Sequence, residues 1–204
     1  MAKISPSVLL AILMLTIPLS GCLEDSISEE IKGDDTSTVF VDPCTLPSES
    51  LTQSFIDIDV NGEERQYRLS APSSDAGTLL PVIIAFHGGG GSTEDFQQQS
   101  QFDQLGEEEK FIMAYAIAED DRTAAEGEWY LNTAATSRED NVYVEHIIEN
   151  LSTAYCIDED RLYGIGYSLG SMYTYEIACQ MNHQFAAVAS FAGTMPVNPE
   201  TCDL

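Results

Sequence analysis

The segment Gly166-Tyr167-Ser168-Leu169-Gly170 constrains the fold of this chain more than any other stretch. It follows the apolar run 162–165 and precedes a helical pattern that begins at Ser171. Glycine two residues before and two residues after a serine allows a strand and a helix to approach closely across a tight turn. Such a turn presents the serine hydroxyl outward, so the pattern predicts a nucleophile elbow with Ser168 as the nucleophile. A chance match is the alternative, and the strand-to-helix context disfavours it.

A second glycine-rich segment, His87-Gly88-Gly89-Gly90-Gly91, directly follows the apolar run 81–86. Acyl transfer places negative charge on a former carbonyl oxygen, and backbone N–H groups that approach this oxygen stabilise it. The pattern therefore predicts an oxyanion hole formed by the amide of Leu169 and an amide of Gly88 or Gly89. A flexible turn is the alternative. Phosphate binding is disfavoured because the loop lacks the lysine of phosphate-binding motifs.

Two strand patterns flank the turn sequence Asn61-Gly62-Glu63. They cover residues 55–60 and 65–69. An Asn-Gly pair between two such segments is a strong hairpin signal, so we expect the first two strands to be antiparallel.

Apolar runs and helical patterns then alternate along the chain. They predict strands at 82–86, 111–116, 162–165 and 186–191, and helices at 93–105, 141–155 and 171–181. This alternation predicts an α/β fold with a mainly parallel sheet between helix layers. His87 and Ser168 both follow strands, at the carboxyl edge where such sheets bind ligands. The polar segment 117–138 carries Trp129, which would either line a substrate pocket with His87 and Tyr167 or fill the core.

The order and spacing of several shorter motifs resemble those of a family of α/β-hydrolase esterases. The matching stretches are 60–62, 65–67, 85–89, Trp129 with Asn132, 155–158, 160–163, the 166–170 motif, 178–179 and 185–189. The family includes extracellular feruloyl esterases, acetyl xylan esterases and polyhydroxybutyrate depolymerases, and the resemblance runs from about Pro43 to Cys202. It implies an α/β-hydrolase fold and a serine esterase that works through an acyl-enzyme. The substrate would be a carboxylic ester, polysaccharide-linked or polyester, and no cofactor is implied.

The catalytic triad is incomplete in this sequence. An α/β-hydrolase supplies Ser, then Asp or Glu, then His, and His183 is the only histidine after Ser168. A helix over 171–181 would carry His183 too far from Ser168 for proton transfer, so we expect it to cap that helix. His146 is expected on a helix surface. We therefore expect the chain to lack the last strands and two triad members, and the alternative function is a binding module without turnover.

The N-terminus is typical of a secretory signal. A positive start at Met1-Ala2-Lys3 precedes an apolar stretch over 8–19, which is too short for a permanent membrane span. The ending Leu19-Ser20-Gly21-Cys22 resembles the lipobox of prokaryotic lipoproteins. It implies lipidation of Cys22 and anchoring at the cell surface or in the periplasm, with an ordinary signal as the alternative.

Residues 23–50 are rich in acidic residues, Ser, Thr and Pro. Such a composition cannot bury enough apolar surface to fold, so we expect a flexible acidic tether. Residues 51–204 would then form the hydrolase domain.

The composition is strongly acidic. The chain has 34 Asp and Glu against 8 Lys and Arg, a formal charge of −26. This charge disfavours binding of nucleic acids or anionic membranes by the domain surface, so we predict no nucleic-acid partner and membrane attachment through the N-terminal lipid only. The triplet Glu119-Asp120-Asp121 lacks the glycine and terminal glutamate of a calcium-binding EF-hand loop, so we interpret it as a structural loop and predict no metal site, with recruitment of a cation such as Ca2+ as the alternative.

Four cysteines remain after lipidation of Cys22. An even number in a secreted chain predicts two disulfides, with three possible connectivities and buried free thiols as the alternative. We favour a Cys179–Cys202 bond, which would tie the helix after the elbow to the segment after the next strand. The other two cysteines are Cys44 and Cys156. The C-x-x-C spacing of zinc sites is absent from the sequence.

Overall fold

A computed structural model of the protein describes residues 41–118, 129–131 and 138–195. A 3-10 helix at Pro43–Thr45 opens the described part. The strands are β1 (Leu51–Val60), β2 (Glu63–Ala71), β3 (Leu80–Phe86), β4 (Ile112–Ala116), β5 (Ile157–Tyr167) and β6 (Ala187–Phe191). The helices are α1 (Thr93–Ser100), α2 (Phe102–Glu109), α3 (Glu139–Ala154) and α4 (Leu169–Gln180).

The six strands form one sheet in the order β1-β2-β4-β3-β5-β6. Strands β1 and β2 pair antiparallel, and β2 pairs antiparallel with β4. The pairs β3–β4, β3–β5 and β5–β6 are parallel. The predicted mixed sheet, mainly parallel with an antiparallel hairpin at its start, is therefore confirmed. The carboxyl ends of the four parallel strands lie at one edge of the sheet, where the candidate site is found.

The hairpin turns at Asn61 and Gly62, as predicted. Both residues have positive φ, +57° and +94°. Two consecutive positive φ values define the turn whose twist matches that of paired strands, and Asn-Gly is its preferred sequence. The carboxylate of Asp59 accepts a hydrogen bond from the Gly62 amide at 3.0 Å.

The sheet is covered on both faces, and each face has its own apolar cluster. The larger cluster packs β-strand residues such as Ile84 and Leu162 against Ile147 of α3 and Ile177 of α4. The smaller cluster, on the other face, contains Ala85, Phe111, Met113 and Tyr115, with Phe96 and Phe102 packed against it. All five residues of β4 are buried, which explains why this strand is a continuous apolar run in the sequence.

The single helix expected over 93–105 is wrong, because the chain forms α1 and α2 with a break at Gln101. Gln101 adopts the left-handed conformation, with φ +57°. Phe96 and Phe102 are six positions apart and would lie about 120° apart around one continuous helix. The break turns both rings onto the smaller cluster.

The domain begins earlier than residue 51. Cys44 forms a disulfide with Cys156, which lies between α3 and β5. Ser48 pairs with Ser74 through backbone and hydroxyl hydrogen bonds. Residues 42–50, which we assigned to the tether, are therefore fixed to the domain.

Cys179 also forms a disulfide, and its partner lies outside the described residues. The Cys44–Cys156 bond belongs to the favoured connectivity, while the Cys179–Cys202 bond stays a prediction. Because disulfides persist in oxidising compartments, these bonds indicate an extracytoplasmic protein. None of the helices in the described part of the chain is long and apolar enough to span a membrane.

Candidate active site

Ser168 occupies the turn between β5 and α4. The strand ends at Tyr167 and the helix begins at Leu169. Ser168 has φ +52° and ψ −114°, a backbone conformation that residues other than glycine rarely adopt. Such a conformation costs about 1–3 kcal/mol and persists only where the surroundings enforce it. The structure thus has the tight strand-to-helix turn that the sequence predicts.

The two elbow glycines are required because backbone groups fill the space of their absent side chains. A Cβ at Gly166 would collide with the Gly170 carbonyl and with Oγ1 of Thr174. A Cβ at Gly170 would collide with the carbonyls of Phe86 and His87 at the end of β3. Strand β5, helix α4 and the end of β3 therefore meet at these two residues.

The glycine loop after β3 lies directly beside Ser168. A Cβ built on Gly88 would lie 3.2 Å from the Ser168 Cβ and 3.1 Å from Cδ1 of Tyr167. The Leu169 amide is the first N–H of α4, and the first amides of a helix have no acceptor within it. An oxygen bound between this amide and the loop would also experience the positive end of the helix dipole.

Two hydrogen bonds fix the orientation of the peptide between Gly88 and Gly89. The Gly88 carbonyl accepts from Nδ1 of His87 at 3.0 Å and from the Gly91 amide at 3.1 Å. In a trans peptide the N–H points opposite to the carbonyl, so the direction of the Gly89 N–H is fixed as well. This loop is more ordered than the flexible turn considered from the sequence.

His87 supports the loop from within the core. Its side chain is 1% exposed, and its Nε2 accepts a hydrogen bond from the Ala118 amide at 3.3 Å. Nε2 as acceptor requires the tautomer with the proton on Nδ1, which matches the bond to the Gly88 carbonyl. Both ring nitrogens are engaged, so His87 is a structural residue and neither a base nor a pocket wall.

Trp129 is also a core residue. It is 1% exposed, and its indole N–H donates to the His87 carbonyl at 2.9 Å. Its ring stacks on Tyr173 at a centroid distance of 5.0 Å and meets Phe86 edge-on at 5.2 Å. The expectation that Trp129 lines a pocket is therefore wrong, and the core alternative holds. Tyr167, by contrast, is 52% exposed beside Ser168.

Sequence reasoning missed a group of polar residues that holds the neighbouring segments. Arg65 donates to the Ile117 carbonyl at 3.0 Å, and its guanidinium lies 3.9 Å from the centre of the Tyr143 ring. The buried carboxylate of Asp140 accepts from the Tyr130 amide at 2.7 Å and lies 3.8 Å from Arg65. These contacts fix the segments on both sides of 119–128. Arg65 lies in one of the stretches that resemble the family, but no sequence pattern linked it to Asp140, since only the fold brings the two together.

The remaining two histidines do not lie at the sheet edge that carries Ser168. His183 is exposed and follows the end of α4, whose 12 residues span roughly 18 Å. His146 lies in the middle of α3 and is half-buried. No histidine in the described part of the chain is thus placed to accept the Ser168 proton.

Comparison with known proteins identifies the family. The family described as "Esterase PHB depolymerase" matches residues 65–200, which is more than half of the chain. The chain belongs to this esterase family. The match spans the Gly88 loop, the elbow and β6, so the family assignment and the site geometry concern the same segment.

Two curated relatives are longer than this chain. NocK of Nocardia uniformis subsp. tsuyamanensis, an esterase by name, is 29% identical over 162 residues, covering 75% of this chain and 45% of that protein. A protein of Aspergillus niger named "Probable feruloyl esterase C" is 27% identical over 137 residues, covering 66% and 47%. The chain therefore spans less than half of the length of these curated relatives.

A solved structure shares the fold. The acetyl xylan esterase from Aspergillus awamori superposes with a TM-score of 0.57 at 19% identity, over 74% of this chain and 57% of that one. At this identity the likeness establishes the α/β-hydrolase fold alone.

Several predicted features lie outside the described residues. They are Cys22, Asn132, Cys202 and the acidic triplet 119–121. Within the described ranges, no group of three or more His, Cys, Asp and Glu side chains is arranged to hold a metal ion.

Proposed function

We propose that the protein is a serine carboxylic-ester hydrolase in which Ser168 is the nucleophile. The observation that carries this proposal is the strained turn that presents Ser168 beside the Gly88 loop. Strained backbone conformations cluster at functional sites, so this outlier beside the glycine loop supports a functional role. Family membership supports ester hydrolysis as the reaction class.

The proposed reaction is acyl transfer through a covalent intermediate. Oγ of Ser168 attacks the ester carbonyl while its proton passes to a base, and the carbonyl oxygen becomes an oxyanion. The amides of Leu169 and of Gly88 or Gly89 stabilise this charge. Collapse of the intermediate expels the alcohol, which takes the proton from the base. Water then attacks the acyl-enzyme, gives a proton to the same base, and releases the acid and the Ser168 hydroxyl. We assign the base to a histidine other than the three in this sequence, oriented by an aspartate.

Among ester substrates, we propose acyl groups carried by a polysaccharide or a polyester. XynS20E of Neocallimastix patriciarum, named as a bifunctional acetylxylan esterase/xylanase and 26% identical over 132 residues, and the feruloyl esterase of Aspergillus niger support the first class. The family description supports the second. The competing function is a binding module without turnover. The absence of a suitably placed histidine among the described residues favours that alternative.

Hydrolysis of short aryl esters by the full-length protein separates the two functions. An acyl-enzyme predicts a burst of aryl alcohol equal to the enzyme concentration, followed by slower turnover. Ser168→Ala should lose both phases. Ser152→Ala is the matched control, because this serine bonds only within α3, to the Glu149 carbonyl, and should keep full activity. A stable wild-type protein without turnover would instead support the binding module.

We further propose that the protein is anchored by lipid at Cys22. In a lipoprotein-competent host, it should partition into detergent, and Cys22→Ala should release it or block its processing. Mass spectrometry of the mature N-terminus tests this directly, since an unmodified terminus elsewhere contradicts the anchor.

A further inference from the structure

The segment after β6 contacts the nucleophile elbow. The Ser168 amide donates to the Phe191 carbonyl at 2.8 Å, across 23 positions of sequence. Immediately after Phe191, Ala192 has φ +56°, so a second residue other than glycine adopts positive φ at this contact. The unfavourable backbone conformations of Ser168 and Ala192 therefore lie at the two ends of this hydrogen bond. Each of them requires support from its surroundings.

Gly193 completes the contact from the other side of the elbow. A Cβ at Gly193 would lie 2.7 Å from the Ser168 carbonyl oxygen and 2.5 Å from Oγ of Ser171. Real side chains do not approach this closely, so only glycine fits here. The turn at Ala192 thus carries the chain from a hydrogen bond with the Ser168 amide to close packing on the Ser168 carbonyl.

Ser190 and Ser171 extend the contact into the first turn of α4. Oγ of Ser190 donates to the Ser171 carbonyl at 3.3 Å. The Ser171 side chain is fully buried, and its Oγ has no hydrogen-bond partner among the described residues. Ser171 therefore meets Gly193 through packing rather than through a hydrogen bond.

We propose that Ser190–Gly193 acts as a brace that holds Ser168 in its reactive backbone conformation, with Gly193 as the principal positioning residue. The inference rests on Ser168 being the nucleophile. The elbow glycines allow the tight turn because a Cβ at either of them would collide with neighbouring backbone. The brace contacts both peptide groups of Ser168, because it accepts the Ser168 N–H and packs on the Ser168 carbonyl. Rotation of either peptide would change the direction of Oγ.

Gly193→Ala in the full-length protein tests the brace. The added methyl displaces the Ser168 carbonyl, and a misplacement of this order lowers kcat about a hundredfold. KM should stay within about threefold, because the effect falls on the reacting atom and not on uniform substrate binding. A phosphonate probe that labels active serines should react more slowly by a similar factor.

Gly106→Ala is the matched control. Gly106 lies in α2, and a Cβ there would be 2.9 Å from the Phe111 carbonyl oxygen, at the start of β4 and away from the carboxyl edge. Both substitutions overpack a glycine, so both should lower the melting temperature. Only Gly193→Ala should lower kcat and slow labelling in the folded protein.

The outcomes separate the brace from the proposed function. Turnover by Ser168→Ala contradicts the function itself. The brace alone is overturned if folded Gly193→Ala keeps the wild-type kcat and labelling rate while Ser168→Ala is inactive. If Gly193→Ala does not fold, Ser190→Ala decides, since it removes one hydrogen bond and adds no volume. A kcat lowered about threefold supports the brace, and an unchanged kcat overturns it.

Discussion

Substitution of Gly88 should reduce catalysis far more than stability. A Cβ at this position would lie 3.1 Å from Cδ1 of Tyr167 and 3.2 Å from the Ser168 Cβ. Both distances are a few tenths of an ångström shorter than an ordinary van der Waals contact. Gly88→Ala must therefore shift the loop or the nucleophile slightly, and we expect kcat to fall about tenfold. Gly88→Val adds branching at the same place and should displace an oxyanion donor. Losing one donor costs about 3 kcal/mol in the transition state, roughly a hundredfold or more in rate.

The free energy of unfolding should change by about 1 kcal/mol or less in these variants, because Gly88 lies in a half-buried loop and contributes no side-chain packing. Gly77→Ala is the control with the opposite signature. Gly77 has φ +81° and nothing within 4 Å of a Cβ, so alanine there is strained but meets no neighbour. It should lose about 1–2 kcal/mol of stability and keep its kcat.

The assay is steady-state hydrolysis of a short aryl ester, combined with denaturant unfolding of each variant. The expected order of kcat is wild type and Gly77→Ala first, then Gly88→Ala, then Gly88→Val. If Gly88→Val kept the wild-type kcat, the loop would not contribute an oxyanion donor. If its kcat fell only in proportion to lost folded protein, the loop would be merely structural.

Three further predictions concern the whole domain. Cys44→Ser should lower the free energy of unfolding by up to about 5 kcal/mol, because the bond to Cys156 closes a loop with a sequence separation of 112. Equal denaturant-unfolding midpoints of the wild-type protein with and without reductant would contradict this. Burial raises the pKa of Tyr67, Tyr115 and Tyr173, so the folded state keeps protons that the unfolded state releases. Stability should be intact below about pH 10 and should fall above it by up to about 1.4 kcal/mol per pH unit for each tyrosine, which unfolding curves between pH 8 and 11 measure. The net charge is −26, so salt should screen repulsion between the acidic side chains and raise the melting temperature between about 0.1 and 1 M NaCl. A melting temperature that falls over this range would refute the prediction.

The elements and the elbow could be predicted because their signals are local. Apolar runs identified the strands, and Gly166 and Gly170 identified the turn. The break at Gln101 could not be predicted, since it depends on a cluster on the sheet that both Phe96 and Phe102 reach. The sequence pattern alone favoured one helix there.

The backbone turns of the candidate site could be predicted from the sequence. The residues that hold these turns in place could not. The proposed roles of Gly88, Ser168 and Leu169 come from motifs, because the proposed chemistry requires particular spacing. The roles of His87 and Trp129 depend on which carbonyl and amide groups the fold brings within hydrogen-bond distance. The contact of Gly193 with the elbow likewise arises from the pairing of β6 with β5. Contacts between distant segments of this kind have no local signature.

Covalent labelling tests the central claim most directly. The full-length protein is treated with a phosphonate probe that reacts with activated serines, digested and mapped by mass spectrometry. Our account predicts one modified residue, Ser168, with no labelling in Ser168→Ala and normal labelling in Ser152→Ala. Labelling of another serine, or undiminished ester turnover by Ser168→Ala, would contradict it.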